Sequence, residues 1–181
     1  MEIILLGGNS PKNISWLEAM DAALQKQYRN ISVYRYSHWD TKDSLIDIDK
    51  ELEILTKKLG GIKDYVIIGK SAGALLTLKG VYEHKLSPSA CIFLGTAILW
   101  GREKGFDVDS WLKNFSVPTL FIHKSNDPAI ASDALESLLK KSNSKNYKLG
   151  VIQGSEHEYP EYQELSQSIL FFLRDRSLIT N

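Results

Sequence analysis

The stretch Tyr65-Val-Ile-Ile-Gly-Lys-Ser-Ala-Gly-Ala-Leu-Leu-Thr-Leu78 contains two overlapping motif fragments, Gly69-Lys70-Ser71 and Gly69-x-Ser71-x-Gly73, which call for different chemistry. The first would end a phosphate-binding loop, which needs a glycine five residues before Gly69 and a flexible cradle of backbone N–H groups in between. Asp64 holds that position, and the cradle is replaced by Tyr65-Val66-Ile67-Ile68, an apolar run of β-formers that reads as a buried strand. The second fragment would be a sharp strand-to-helix turn presenting a serine between small residues. All of its parts are present: the strand runs straight into Gly69, and an apolar helix starts at Ala72.

Working outward from that turn, the chain alternates short β-rich runs with helical stripes. Runs at residues 3–6, 31–36, 65–68, 90–94, 119–123 and 147–152 read as strands, several of them continuously apolar, as strands covered on both faces are. Between them Leu17, Met20, Leu24 and Tyr28 recur at helical spacing, as do Leu45, Ile48, Leu52, Leu55 and Leu59. Further helices fit residues 72–82, 129–141 and 161–174. This alternation predicts an α/β fold: a mostly parallel six-stranded sheet flanked by helices on both faces. No repeat, low-complexity segment or composition break interrupts it, so a single domain over residues 1–181 is expected.

Composition narrows the function classes. With 43% hydrophobic and 24% charged residues the chain is ordinary globular material, and 22 basic against 22 acidic side chains leave no net field to attract nucleic acid or an anionic membrane. A small-molecule substrate is the expected partner. Cys91, the only cysteine, lies in the apolar run Ala90-Cys-Ile-Phe-Leu94, where it reads as a small core residue. The first apolar run is too short and wrongly flanked for a signal peptide, so a cytoplasmic location is expected. Four scattered histidines give no metal-ligand spacing, and no cofactor is expected.

Open parallel sheets carry their functional groups at the carboxyl ends of the strands. Here those ends read Gly7-Gly8-Asn9-Ser10, then Lys70-Ser71-Ala72, then Ser125-Asn126-Asp127-Pro128, then Gly154-Ser155-Glu156-His157. A serine hydroxyl is a feeble nucleophile until a base withdraws its proton and a third group orients that base. Ser71, His157 and Asp127 supply those residue types in chain order. The negative charge that develops on a carbonyl oxygen also needs donors, for which the Ala72 N–H and an N–H of Gly8 or Asn9 are the candidates. Asp133 is the fallback acid, and Glu156 is expected to point away from its neighbour His157. His123 is expected to pack beside the acid loop, with His38, His84 and Lys70 solvated on the surface.

These residues resemble the α/β-hydrolase superfamily, its compact members in particular, over nearly the whole chain. Gly-Lys-Ser-Ala-Gly is similar to that family's nucleophile elbow, Asn126-Asp127-Pro128 to its acid loop, and Gly154-Ser155-Glu156-His157 to its histidine loop. The resemblance implies a triad of Ser71, Asp127 and His157 and a covalent acyl-enzyme intermediate. The chain departs from the family in three ways. The antiparallel strands that usually open the sheet are expected to be absent, Leu6-Gly7-Gly8-Asn9 stands where many relatives have His-Gly, and residues 95–118 are too few for a large lid. An open site for a small or exposed acyl group follows, with Trp100, Phe106 and Trp111 as pocket or core residues. Ester hydrolysis leads thioester and amide hydrolysis; the other classes considered are a non-catalytic interaction protein on the same scaffold and a flavodoxin-like nucleotide binder.

Overall fold

The computed structural model describes residues 1–41 and 45–180. Its strands are β1 (Glu2–Leu6), β2 (Ile31–Tyr34), β3 (Tyr65–Lys70), β4 (Ala90–Leu94), β5 (Thr119–Lys124) and β6 (Tyr147–Ile152). They form one sheet in the order β2-β1-β3-β4-β5-β6, and every neighbouring pair is parallel. The chain steps outward from β1 to β2 and then crosses back to β3 on the other side. That reversal leaves a crevice beyond the carboxyl ends of β1 and β3, where the connections diverge.

Parallel neighbours need crossovers, and helices provide them on both faces. One face of the sheet, with Ile3, Leu5, Val66, Ile68, Ile92 and Leu94, packs against α1 (Asn13–Leu24) and α8 (Tyr162–Asp175). The other, with Ile4, Leu6, Ile67, Phe93 and Phe121, is covered by α3 (Ile48–Leu59), α4 (Ala72–Tyr82) and α7 (Ser132–Lys141). Alternate residues of one strand thus feed two cores, which explains why β3 and β4 read as unbroken apolar runs. Two short helices, α5 (Ile98–Glu103) and α6 (Val108–Leu112), occupy the connection from β4 to β5, and α2 (His38–Thr41) follows β2.

Several boundaries differ from the sequence reading, each for a local reason. The strand expected to reach residue 36 stops at Tyr34; Tyr36 leaves the ladder, is buried, and donates its hydroxyl to the Gly7 carbonyl (2.9 Å). Leu45 does not belong to the helical stripe. Asp47 caps α3 by accepting from the Lys50 N–H (3.0 Å), which leaves Leu45 ahead of the cap and exposed. Tyr28 lies beyond the end of α1 and bonds the Met1 carbonyl instead (2.6 Å). The helix expected from residue 129 begins at Ser132, because Ala131 is extended at ψ 150° and breaks any helical run before it. None of the described helices is long and apolar enough to cross a membrane.

Candidate active site

The turn after β3 works because of its small residues. A Cβ on Gly69 would stand 2.7 Å from the Ala74 nitrogen, and one on Gly73 would stand 2.8 Å from the carbonyl oxygens of Leu6 and Gly7. Only glycines let α4 start this close to β3 and β1. Between them Ser71 adopts φ 55°, ψ -114°, a region costly for a residue with a side chain, at about 1–3 kcal/mol. Its N–H donates to the Leu94 carbonyl (2.9 Å) and its carbonyl accepts from Ala74 (3.1 Å), so neighbouring backbone holds the strained turn. The hydroxyl is carried at the tip, above the sheet.

The loops after β5 and β6 bring the other two groups to it. His157 Nε2 lies 2.9 Å from Ser71 Oγ, and His157 Nδ1 lies 2.8 Å from Asp127 Oδ1. An ionised carboxylate can only accept, so Nδ1 carries the ring proton and the Nε2 lone pair faces the serine hydroxyl. The Asp127 side chain is fully buried, whereas His157 is 31% exposed. Burial alone would push the Asp127 carboxyl up. Hydrogen bonds from His157, from the Tyr159 hydroxyl (2.6 Å to Oδ2) and from the Ala129 N–H (2.8 Å to Oδ1) outweigh it and hold the carboxyl below the usual range.

Known structures with this arrangement of strands and helices are numerous. The chain is similar to the Pyrococcus furiosus esterase Pf2001, with a TM-score of 0.74 at 19% identity over 96% of this chain and 82% of that one. It is similar to the mouse alpha/beta hydrolase domain-containing protein 10, with a TM-score of 0.72 at 14% identity, covering 96% and 90%. The fold is that of the α/β hydrolases. A protein from Bacillus cereus matches with a TM-score of 0.72 at 19% identity, and there the chain spans 96% of itself but 60% of the other protein. A scan against protein-family models and a comparison with curated proteins found no match.

An oxyanion formed by attack of Ser71 on a carbonyl would need N–H donors beside it. The Ala72 N–H opens α4 and has no acceptor within the helix, at its positive end. Across from it, Asn9 lines the same cleft of about 450 Å³ as Ser71 and His157, together with Trp100 and Pro128. Asn9 is firmly tied: its carbonyl accepts from His38 Nε2 (2.7 Å) and Trp39 Nε1 (2.9 Å), and its Oδ1 accepts from the Ile46 N–H (2.7 Å). Gly8 does not line the cleft; it packs against Asn13, whose Nδ2 would be 2.9 Å from an added Cβ.

Two surface expectations are corrected. His38 is buried, because its ring closes over the Asn9 loop and stacks on Tyr36. Lys70 is 8% exposed: as the last residue of β3 it points under α1 and bonds Asn13. His84 is exposed. Glu156 turns from His157 to pair with Lys124 (3.1 Å), and Asp133 stands exposed on α7. His123 is buried beside the acid loop, where Nε2 accepts from the Thr96 N–H (2.9 Å); burial lowers it to about 4, so the ring is neutral at pH 7. Trp100 lines the cleft, while Phe106 and Trp111 stack behind it with ring centres 6.1 Å apart. Among the described residues no group of His, Cys, Asp and Glu could hold a metal.

The sequence reading missed Tyr159 and Gly95. Tyr159 is buried, donates to Asp127 and receives the Lys124 N–H (3.0 Å), so it locks the acid to the end of β5. Its ring centre stands 6.5 Å from that of His157, two residues earlier in the chain. Gly95, at φ 52°, follows β4 directly; a Cβ there would stand 2.6 Å from the Tyr159 ring and 3.0 Å from His157 Cε1. It keeps the space into which the histidine loop settles.

Proposed function

We propose that the protein is a serine hydrolase that cleaves carboxylic esters of small or exposed acyl groups. The observation that carries this reading is the continuous line of contacts from Asp127 through His157 to Ser71, at 2.8 and 2.9 Å. Ser71 Oγ attacks the ester carbonyl carbon as its proton passes to His157 Nε2, forming a tetrahedral oxyanion faced by the Ala72 N–H and the backbone of the Asn9 loop. The imidazolium gains its charge against the Asp127 carboxylate. Collapse breaks the C–O bond to the leaving group, which takes the proton from Nε2, and leaves the acyl group on Ser71. A water then gives its proton to Nε2 and attacks the acyl carbon, and the acid departs as Ser71 regains its hydrogen.

The same steps serve thioesters and amides. An ester substrate is preferred because the structurally similar Pyrococcus furiosus protein is an esterase, and because a departing alkoxide asks less of a single general acid than an amide nitrogen does. The size argument rests on residues 95–118, which contribute only α5 and α6, and on a cleft of about 450 Å³, toward the small end for ligand pockets. Leu99 at its rim is half exposed, so a long acyl chain would leave the cleft and lie in water. p-Nitrophenyl acetate and butyrate are therefore expected to exceed the dodecanoate in kcat/KM by at least about tenfold. Steady-state assays below the micellar range of each ester measure this, and a rise in kcat/KM up to the longest chain would contradict the open-site reading.

A further inference from the structure

Two lysines near this site are buried, and they differ in one respect. Lys124 Nζ is neutralised by Glu156 (3.1 Å) and Glu161 (3.4 Å). Lys70 Nζ, next to the nucleophile in sequence, donates to the neutral Asn13 Oδ1 (2.9 Å) and lies 5.6 Å from the centre of the Trp16 ring. Among the described residues no carboxylate comes within ion-pair distance of it. An ammonium has three donors, and among the described residues one of these is used. The geometry is fixed from outside: Asn13 Nδ2 donates to the Ser10 carbonyl (2.8 Å), which turns Oδ1 toward the lysine, and Trp16 Nε1 is held by the Tyr159 carbonyl (2.9 Å). Burial lowers the Lys70 ammonium below its usual range, and the more distant charges of Glu158 and Asp127 restore part of the loss. A buried cation without a counter-ion is costly, and an anion that pairs with it recovers that cost.

Lys70 also stands where two clefts meet. One, of about 450 Å³, holds Ser71, His157 and the apolar side chains Leu99 and Trp100; the other, of about 470 Å³, holds His157, Trp16 and Tyr162 but not Ser71. Lys70, Asn13, Ser10 and His157 line both. The first suits an acyl group held against the nucleophile. The second opens from His157, the group that must protonate the departing oxygen, and so suits the leaving group.

We propose that Lys70 is a specificity-determining residue that pairs with a carboxylate borne on the leaving-group side of the ester. This rests on the assignment of Ser71 as nucleophile. A single ammonium matches a single negative charge, and the exposed Glu158 on the second cleft opposes a dianion such as a phosphate monoester more than a carboxylate. Exposed Lys12 lies on the same cleft, but water and salt screen it, whereas Lys70 acts from within the protein.

The test compares 3- and 4-acetoxybenzoate with the corresponding acetoxybenzamides, each rate divided by its spontaneous hydrolysis. The intact protein is expected to favour the better acid over its amide by about 10- to 100-fold in kcat/KM, mostly through KM, since the pair forms equally in ground and transition states. In Lys70→Met and Lys70→Gln the ratio should fall to about one whatever their absolute rates, and Lys70→Arg should keep part of it. A ratio near one in the unaltered protein would overturn the proposal without recourse to any variant. So would a preference confined to an acyl-side carboxylate, tested with mono-p-nitrophenyl succinate against p-nitrophenyl butyrate, or a stronger preference for acetoxyphenyl phosphate. Neutral acetoxybenzamide turnover and fluorophosphonate labelling of Ser71 report the hydrolase assignment separately, so failure of the lysine pairing is distinguishable from failure of the nucleophile.

Discussion

Ser71→Ala is expected to lower ester turnover by about 10⁶-fold while leaving the protein folded. The change removes one oxygen at the tip of the elbow and nothing that holds the elbow together: the Ser71 N–H still meets Leu94, its carbonyl still meets Ala74, and alanine at φ 55° carries the same backbone strain. Thermal melting should therefore be almost unchanged. What is lost is the covalent route. The cleft and the Ala72 N–H could still bind and polarise an ester, so the residual rate should stay above that in water. Initial rates with p-nitrophenyl butyrate, with a melting curve on the same sample, measure both sides of this expectation.

Asp127→Asn should cost about 10⁴-fold in kcat. Every neighbour of this carboxylate is a donor: His157 Nδ1–H, the Ala129 N–H and the Tyr159 hydroxyl. An amide in its place must turn its own N–H₂ toward one of them. If it faces His157, the imidazole shifts its proton to Nε2 and can no longer accept from Ser71. If it faces Tyr159, the tautomer survives but the imidazolium formed in the reaction has lost its charge partner. The control is Asp133→Asn, which alters an exposed side chain on α7 and should change turnover by no more than about twofold. The reverse outcome, with Asp133 the damaging site, would mean that the acid is misassigned.

The fold was legible in the sequence because the two features that decide it are local. Apolar runs bounded by turn residues marked all six strands, and the glycines flanking Ser71 marked the crossing of β3, α4 and β1. Helix starts were less legible. The helix expected from Ala129 starts late because Ala131 is extended, and Leu45 falls outside α3 because Asp47 caps it; periodicity registers neither. The candidate site was readable as residue types at strand ends, since topology brings those ends together. Burial of its polar residues was not. His38 and Lys70 read as solvated because charge and polarity are the only cues in a sequence, whereas their partners, the Asn9 carbonyl and Asn13, come from the loop after β1 and the start of α1. The same holds for Tyr159, whose hydrogen bond to Asp127 spans the gap between the acid and histidine loops.

The central claim is that Ser71 is an activated nucleophile, and a fluorophosphonate probe tests it most directly because it needs no knowledge of the substrate. Reaction requires a base to take the serine proton as Oγ attacks phosphorus and fluoride leaves, and donors to hold the phosphoryl oxygen. A serine that merely ends a strand offers neither. Incubation near neutral pH followed by peptide mass spectrometry is expected to find one phosphonyl group per chain, on Ser71 alone, with labelling abolished by Ser71→Ala and strongly slowed by His157→Ala. Folded protein that takes no label under these conditions, or takes it on another serine, would contradict the account.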